Sequence, residues 1–262
     1  MNVTYAIAES CDIFFYKVGG GWPPADFEGL GVDSLAYYAR LFGFGEGSGI
    51  DLPGENPGLV PDPIWKRKQK GERWVTGDTY NMAIGQGDVL ATPLQVALMT
   101  SVVANDGILY QPQIVAAITD SESHLVKLNR PIVKRELPIS SKNLDIVREG
   151  MWMAVNSDVG TARAWALPDV EIAGKTGTSE FFDPELGRDW AGNLPTHAWF
   201  TAFAPYQNPE IVVTVLVYNG GEGSEIAAPI AQKILRAYFD IKARDEAAGN
   251  QSVLDRLQEI AP

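Results

Sequence analysis

One short stretch of the sequence concentrates groups that bind anions. Within GKTGTS, the residues Lys175, Thr176, Gly177 and Thr178 follow an apolar run that is typical of a strand. An ammonium group, two hydroxyl donors and a backbone opened by glycine can together hold a carboxylate or an oxyanion. A polar turn also fits these letters, because motifs this short match by chance. The first glycine of the P-loop spacing is absent, which excludes a nucleotide phosphate site of the usual form.

A second group of candidate residues lies near the start of the sequence. The segment AESCDIFF places Ser10, Cys11 and Asp12 between two stretches with helical character. Serine and aspartate favour helix starts, so capping alone is a sufficient explanation for Ser10 and Asp12. Cys11 is interpreted as a small filler, because the sequence shows no neighbouring base that would activate its thiol.

The composition excludes several function classes. The 262 residues are 45% hydrophobic and carry a formal net charge of -12, which argues against nucleic acid or an anionic membrane surface as the main partner. A single cysteine and two histidines exclude an intrachain disulfide and predict no metal site; no cofactor is expected. The sequence contains neither an apolar run of about 18 residues nor a basic segment followed by an apolar one, so it carries no membrane anchor or export signal.

The helices that must position these residues are predicted from periodicity and capping. Short helices flank Ser10, and another is expected from an N-cap at Ser34 to a stop at Gly43. Segment 45–77 is rich in glycine and proline and is expected to be a long surface loop. Thr92 and Pro93 begin a helix, since they fit the cap and the first helical position. Further helices are predicted within 140–157 and 224–239.

Strands are predicted mainly after residue 160. Segments 170–174, 197–205 and 210–219 are rich in β-branched and aromatic residues, and a turn between the last two predicts an antiparallel hairpin with the first strand alongside. Two or three short strands are expected within 108–130. Helices first, then strands, then a helix predict an α+β fold with a helical region and an antiparallel sheet.

Taken together, these stretches resemble the transpeptidase domain of penicillin-binding proteins, in the class B, elongation-type branch typified by penicillin-binding protein 2. That family and the serine β-lactamases share Ser-x-x-Lys, Ser-x-Asn and Lys-Thr-Gly motifs. Ser10-Cys11-Asp12 resembles the second motif in its Ser-x-Asp form, and Lys175-Thr176-Gly177 followed by Thr178 resembles the third. The segments FGFGEGSGIDLPGE, YNMAIGQGDVLATPLQVA and HAWFTAFAP resemble connecting segments of this branch, in the expected order.

The first motif of the family is missing, since Ser-x-x-Lys occurs nowhere in the 262 residues. The resemblance therefore implies a chain without the acylating serine, and a serine β-lactamase/transpeptidase-like fold whose N-terminal part is missing. Residues 1–240 are expected to form this partial transpeptidase domain, and residues 241–262 a polar C-terminal tail.

Roles for the motif residues follow from the resemblance. It implies that Ser10 relays a proton to the leaving amine, that Asp12 holds this network and that Lys175 supplies positive potential. The hydroxyls of Thr176 and Thr178 would bind the terminal carboxylate of the ligand, with Gly177 between them. The backbone N–H of Thr178 would form half of an oxyanion hole.

Partners and location are also implied by the resemblance. The ligands would be D-alanyl-D-alanine stem peptides of peptidoglycan and β-lactams, and the protein partners the missing N-terminal part or the cell-elongation machinery. The location would be the extracytoplasmic face of the bacterial inner membrane. Two alternatives stay open: a D,D-carboxypeptidase or β-lactamase relative, and a non-catalytic ligand-binding or scaffold fragment.

Overall fold

Helices dominate the first half of the chain, and the main sheet lies in the second. The computed structural model describes residues 1–122, 124–189 and 191–249. Helices lie at Val3–Ala8 (α1), Asp12–Gly20 (α2), Gly31–Leu41 (α3), Pro63–Lys70 (α4), Thr76–Ala83 (α5), Pro93–Ala104 (α6), Ser141–Asn156 (α7) and Ala228–Ala247 (α8). Strands lie at Ile108–Gln111 (β1), Ala117–Thr119 (β2), Leu125–Leu128 (β3), Ile132–Glu136 (β4), Ala173–Glu180 (β5), Thr196–Ala204 (β6) and Ile211–Val217 (β7). The predicted α+β class is confirmed.

The main sheet is antiparallel, with the strand order β5-β6-β7. On one face, the hydroxyls of Thr100, Thr201 and Thr214 form a row of hydrogen bonds of 2.7 Å each, which ties α6 to the sheet. The other face packs against α8 through a buried apolar cluster that includes Ala198, Phe200, Ala202, Ala231 and Leu235. The expected hairpin and the covering helix are therefore confirmed. A strand does lie beside the hairpin, but it spans Ala173–Glu180 rather than the predicted 170–174, so the polar motif itself forms the strand.

Gln95 shows how the start of α6 serves the rest of the fold. The Thr92 hydroxyl accepts the Gln95 N–H at 3.2 Å, and Gln95 Oε1 accepts the Thr92 N–H at 3.0 Å. Pro93 occupies the first helical position, as predicted. The buried Gln95 amide also donates to three loop carbonyls, those of Gly43, Glu46 and Pro57. One capping residue thus starts the helix and fixes the preceding loop.

Two predictions for the segment before α6 are wrong. Ser34 lies inside α3, which begins at Gly31. The expected loop at 45–77 contains α4, because the Asp62 carboxylate accepts a backbone N–H of the first turn at 2.8 Å and proline follows it. Gly71, at φ +71°, ends this helix in the left-handed conformation that glycine adopts without strain.

Smaller sheets and the C-terminal helix complete the described structure. β1 pairs with β4 and β2 with β3, which confirms short strands within 108–130. α8 continues past residue 240 to Ala247, and residues 250–262 of the predicted tail lie outside the described residues. No helix in the described ranges combines the length and apolarity that crossing a membrane requires.

Candidate active site

Ser10 occupies the tight turn between α1 and α2. Its φ of +54° lies in the left-handed region, which is uncommon for a residue other than glycine. The turn is anchored because α1 packs closely on α7: a Cβ added to Gly150 would lie 2.8 Å from Ile7, and Ala6 is fully buried. The Cys11 N–H also donates to the Ala6 carbonyl at 2.9 Å. A strained but fixed turn therefore directs the Ser10 hydroxyl.

The Ser10 hydroxyl meets Lys175 where the helical region faces β5. Lys175 Nζ donates to Ser10 Oγ at 2.7 Å and to the Thr176 carbonyl at 2.8 Å. These two predicted site residues are 165 positions apart in the sequence, and the structure places their functional atoms in direct contact.

Burial lowers the pKa of Lys175 from 10.5 to about 8, and the negative charge of Asp12 opposes this shift. An amine with that pKa is deprotonated in about one molecule in ten at pH 7, so it can exchange a proton near neutrality. Asp12 is the first residue of α2. Burial raises the pKa of Tyr16, and the charge of Asp12 raises it further.

Thr176 is bonded to a residue that the sequence analysis did not assign. Its Oγ1 lies 2.8 Å from Thr161 Oγ1. The Thr161 N–H donates to the Ala8 carbonyl at 3.3 Å, so Thr161 links β5 to the end of α1. Through this link, the motif strand and the Ser10 turn are held in one arrangement.

Thr178 forms hydrogen bonds through both its hydroxyl and its backbone carbonyl. Its Oγ1 donates to Glu222 Oε2 at 2.8 Å and accepts the Gly223 N–H at 3.3 Å. Its carbonyl accepts the side-chain amide of Gln86 at 3.1 Å. Gly177 leaves room for Trp199, whose Cβ would lie 3.2 Å from a Cβ added there. The stretch lies within β5, so its alternative interpretation as a polar turn is wrong.

Three residues that bond to the motif strand were given no role in the sequence analysis, namely Gln86, Thr161 and Glu222. Gln86 stands between Gly85 and Gly87, which both have φ values above +70°. Two glycines that flank a polar residue indicate a turn, and this signal could have identified Gln86. Glu222 gives no such signal, because an exposed glutamate in a glycine-rich loop is typical of an ordinary surface.

His197 lies beside this site in an aromatic group. Its ring stacks on Phe181 at a centroid distance of 4.0 Å and lies 4.7 Å from the ring of Tyr218. Its Nδ1 accepts the Asn219 N–H at 3.2 Å, and burial lowers its pKa. His197 therefore helps to fix the loop that follows β7.

The arrangement combines a hydrogen-bonded lysine–serine pair with a strand that carries hydroxyl groups and backbone N–H groups. Lys175 and Ser10 can transfer a proton over 2.7 Å, while the hydroxyl and backbone N–H of Thr178 belong to the same strand. Such groups suit acyl transfer to or from a ligand that carries a carboxylate. Among the described residues, no cluster of three or more His, Cys, Asp or Glu side chains could hold a metal ion.

The chain is similar in sequence to one protein family and to several of its curated members. The family profile described as "Penicillin binding protein transpeptidase domain" matches residues 1–236. The peptidoglycan D,D-transpeptidase MrdA of Haemophilus influenzae is 37% identical over 246 residues, which cover 91% of this chain and 36% of that protein. Across the curated relatives compared, the chain spans between a third and two fifths of their length.

Solved structures agree with the sequence relatives. PBP2 of Pseudomonas aeruginosa in complex with WCK 5153 aligns with a TM-score of 0.74 at 34% identity, covering 91% of this chain and 49% of that chain. PBP2 of Helicobacter pylori in complex with MreC aligns with a TM-score of 0.72 at 33% identity, covering 91% and 40%. The fold predicted from the resemblance is therefore confirmed.

Proposed function

The chain belongs to the penicillin-binding protein transpeptidase family and is PBP2-like, and from this premise we propose its part in catalysis. It supplies the Ser-x-Asp and Lys-Thr-Gly side of the active site of a peptidoglycan D,D-transpeptidase of the elongation type. The observation that supports this best is the 2.7 Å contact between Lys175 Nζ and Ser10 Oγ. Each residue comes from a different motif, and a shared catalytic network is the reason for them to meet.

The proposed roles follow from the contacts. A serine nucleophile supplied by a Ser-x-x-Lys segment attacks the carbonyl of the penultimate D-alanine, and the peptide C–N bond breaks. The nucleophile gives its proton to the lysine of that segment, and Ser10 relays this proton to the departing amine. Lys175 Nζ lies 2.7 Å from Ser10 Oγ and supplies positive potential there, while the charge of Asp12 raises the pKa of Lys175. The Thr178 N–H stabilises the oxyanion. Of the two threonine hydroxyls, Thr178 is the stronger candidate for the ligand carboxylate, since Thr176 is bonded to Thr161.

Residues 1–240 are proposed as the partial domain that carries this site, at the extracytoplasmic face of the bacterial inner membrane. The proposed ligands are D-alanyl-D-alanine stem peptides and β-lactams. A protein of the elongation machinery is the proposed partner, in line with the H. pylori PBP2 complex with MreC. Because Ser-x-x-Lys is absent from the sequence, the chain by itself is proposed to be unable to form an acyl-enzyme.

Labelling with a fluorescent penicillin tests this function. We expect no covalent label on the 262-residue chain, and a label when the chain is fused to an upstream segment with Ser-x-x-Lys from a relative. The matched control is the same fusion with that motif serine changed to alanine, which should stay unlabelled. An adduct on any serine of the chain alone, or an unlabelled fusion that folds, would contradict the proposal.

A further inference from the structure

We propose that Glu222 competes with the ligand carboxylate for Thr178, and so weakens the binding of ligands that carry a free C-terminal carboxylate. This inference rests on the proposed function, in which the Thr178 hydroxyl binds that carboxylate. Glu222 would thereby set the preference of the site among ligands that differ in charge at this end.

The single proton of the Thr178 hydroxyl is already used in a hydrogen bond. A threonine hydroxyl donates one hydrogen bond, and this one goes to Glu222 Oε2 at 2.8 Å. Its oxygen already accepts the Gly223 N–H at 3.3 Å. An ionised carboxylate only accepts hydrogen bonds, so a ligand can use this hydroxyl only after Glu222 has released it.

The backbone of Glu222 is held in place while its side chain stays exposed. Gly223 packs so tightly that an added Cβ would lie 2.2 Å from the Gly177 carbonyl oxygen and 2.3 Å from that of Trp199. The Gly221 N–H donates to the Thr196 carbonyl at 3.2 Å. The fixed backbone therefore places the carboxylate at Thr178, and rotation of the exposed side chain is what releases the hydroxyl.

Charge adds to the competition for the proton. A ligand carboxylate at Thr178 would approach the Glu222 carboxylate within a few ångströms, and like charges at that distance repel even at a solvated surface. Replacing glutamate by glutamine keeps the shape and removes the charge. Replacing it by alanine removes both the charge and the competing acceptor.

Binding of N-acetyl-D-alanyl-D-alanine to the full chain tests the inference, measured by ligand-observed saturation-transfer NMR. We expect Glu222→Ala to lower the Kd about tenfold, which corresponds to about 1.4 kcal/mol, and Glu222→Gln to lower it by a smaller factor. The C-terminal amide of the same dipeptide should gain by a smaller factor, because it can accept the freed Thr178 proton but carries no charge for Glu222 to repel. Glu225→Gln is the matched control, because Glu225 is an exposed acid three residues further on, in the helical turn Gly223–Ala227.

The outcomes separate the two proposals. Equal Kd values for the free acid in the unchanged chain and in both Glu222 variants would overturn the role of Glu222 while leaving the carboxylate site intact. A gain for the amide equal to that for the acid would also overturn it, since the effect would not depend on charge. No binding to any of these proteins at millimolar ligand would contradict the carboxylate site itself, and with it both proposals.

Discussion

At the scale of single residues, Lys175 has both fixed hydrogen-bond partners and a shifted pKa. It is held by hydrogen bonds to Ser10 Oγ and the Thr176 carbonyl, and burial lowers its pKa to about 8. A lowered pKa in the folded state means that the unfolded chain binds more protons between about pH 8 and pH 10.5. The free energy of unfolding therefore rises with pH across this window, as far as Lys175 contributes.

The first prediction concerns this titration. In Lys175→Met, the rise in stability between about pH 8 and pH 10.5 should be smaller than in the unchanged chain, because the titrating amine is gone. Urea denaturation at several pH values measures the difference. Asp12→Asn is the companion variant, and it should move the Lys175 titration to lower pH, because the Asp12 charge raises that pKa. Parallel pH profiles for all three proteins would contradict a Lys175 that titrates with a lowered pKa.

At the scale of elements, β5 is fixed by contacts from three other segments. Gln86 donates to its backbone from the loop after α5, Thr161 bonds Thr176 from the loop after α7, and Gly223 packs on Gly177 from the loop after β7. These contacts hold the motif strand against the Ser10 turn. Positioning of the candidate site therefore depends on loops that are far apart in sequence.

The second prediction tests the tightest of these contacts. Gly223→Ala should lower the free energy of unfolding by about 2 kcal/mol or more, because its methyl group would overlap two backbone carbonyl oxygens. Gly77→Ala is the control: no atom lies within 4 Å of a Cβ added there, and alanine favours the helix by up to about 1 kcal/mol. The midpoints of denaturant unfolding compare the two variants with the parent chain. A Gly223→Ala protein as stable as the parent would show that the loop is loosely held.

The third prediction concerns the edge of the main sheet. Among the described residues, β7 pairs only with β6, and its sequence IVVTVLV carries no charge to discourage a further strand. We expect the isolated chain to self-associate through this edge. Leu216→Lys should weaken association at least tenfold in sedimentation velocity, whereas Leu186→Lys, on an exposed loop, should not. A strictly monomeric parent chain at high micromolar concentration would contradict this expectation.

At the scale of the whole molecule, the parts that sequence predicted are those with strong local signals. The start of α6 follows from Thr92 and Pro93, and β6 and β7 follow from their β-branched and aromatic content. The bounds of β5 do not, because its sequence AGKTGTSE is mostly small and polar. The contact between Ser10 and Lys175 required the family resemblance, because nothing local links residues 165 positions apart. The error at α4 arose because the glycine and proline content of segment 45–77 outweighed the signals of Asp62, its following proline and Gly71.

The sequence could not predict which partner each threonine hydroxyl of the motif bonds. Thr176 and Thr178 look equivalent in the sequence, yet one hydroxyl bonds Thr161 and the other bonds Glu222. Those partners come from loops whose paths depend on tertiary packing, such as the close approach of Gly223 to β5. Assignments of this kind need coordinates, since no periodicity or cap encodes them.

The central claim is that Ser10, Lys175 and Thr178 form one side of an acylation site, and the rate of acylation tests it most directly. The measurement is the second-order rate constant for a fluorescent penicillin on the chain fused to a Ser-x-x-Lys segment. We predict that Lys175→Ala lowers it by about 10²-fold, as loss of a transition-state donor does, and that Ser10→Ala and Thr178→Val also lower it. Thr119→Val, at an exposed position of β2, should leave the rate unchanged. Parental rates in all three site variants, with melting temperatures unaltered, would contradict the account.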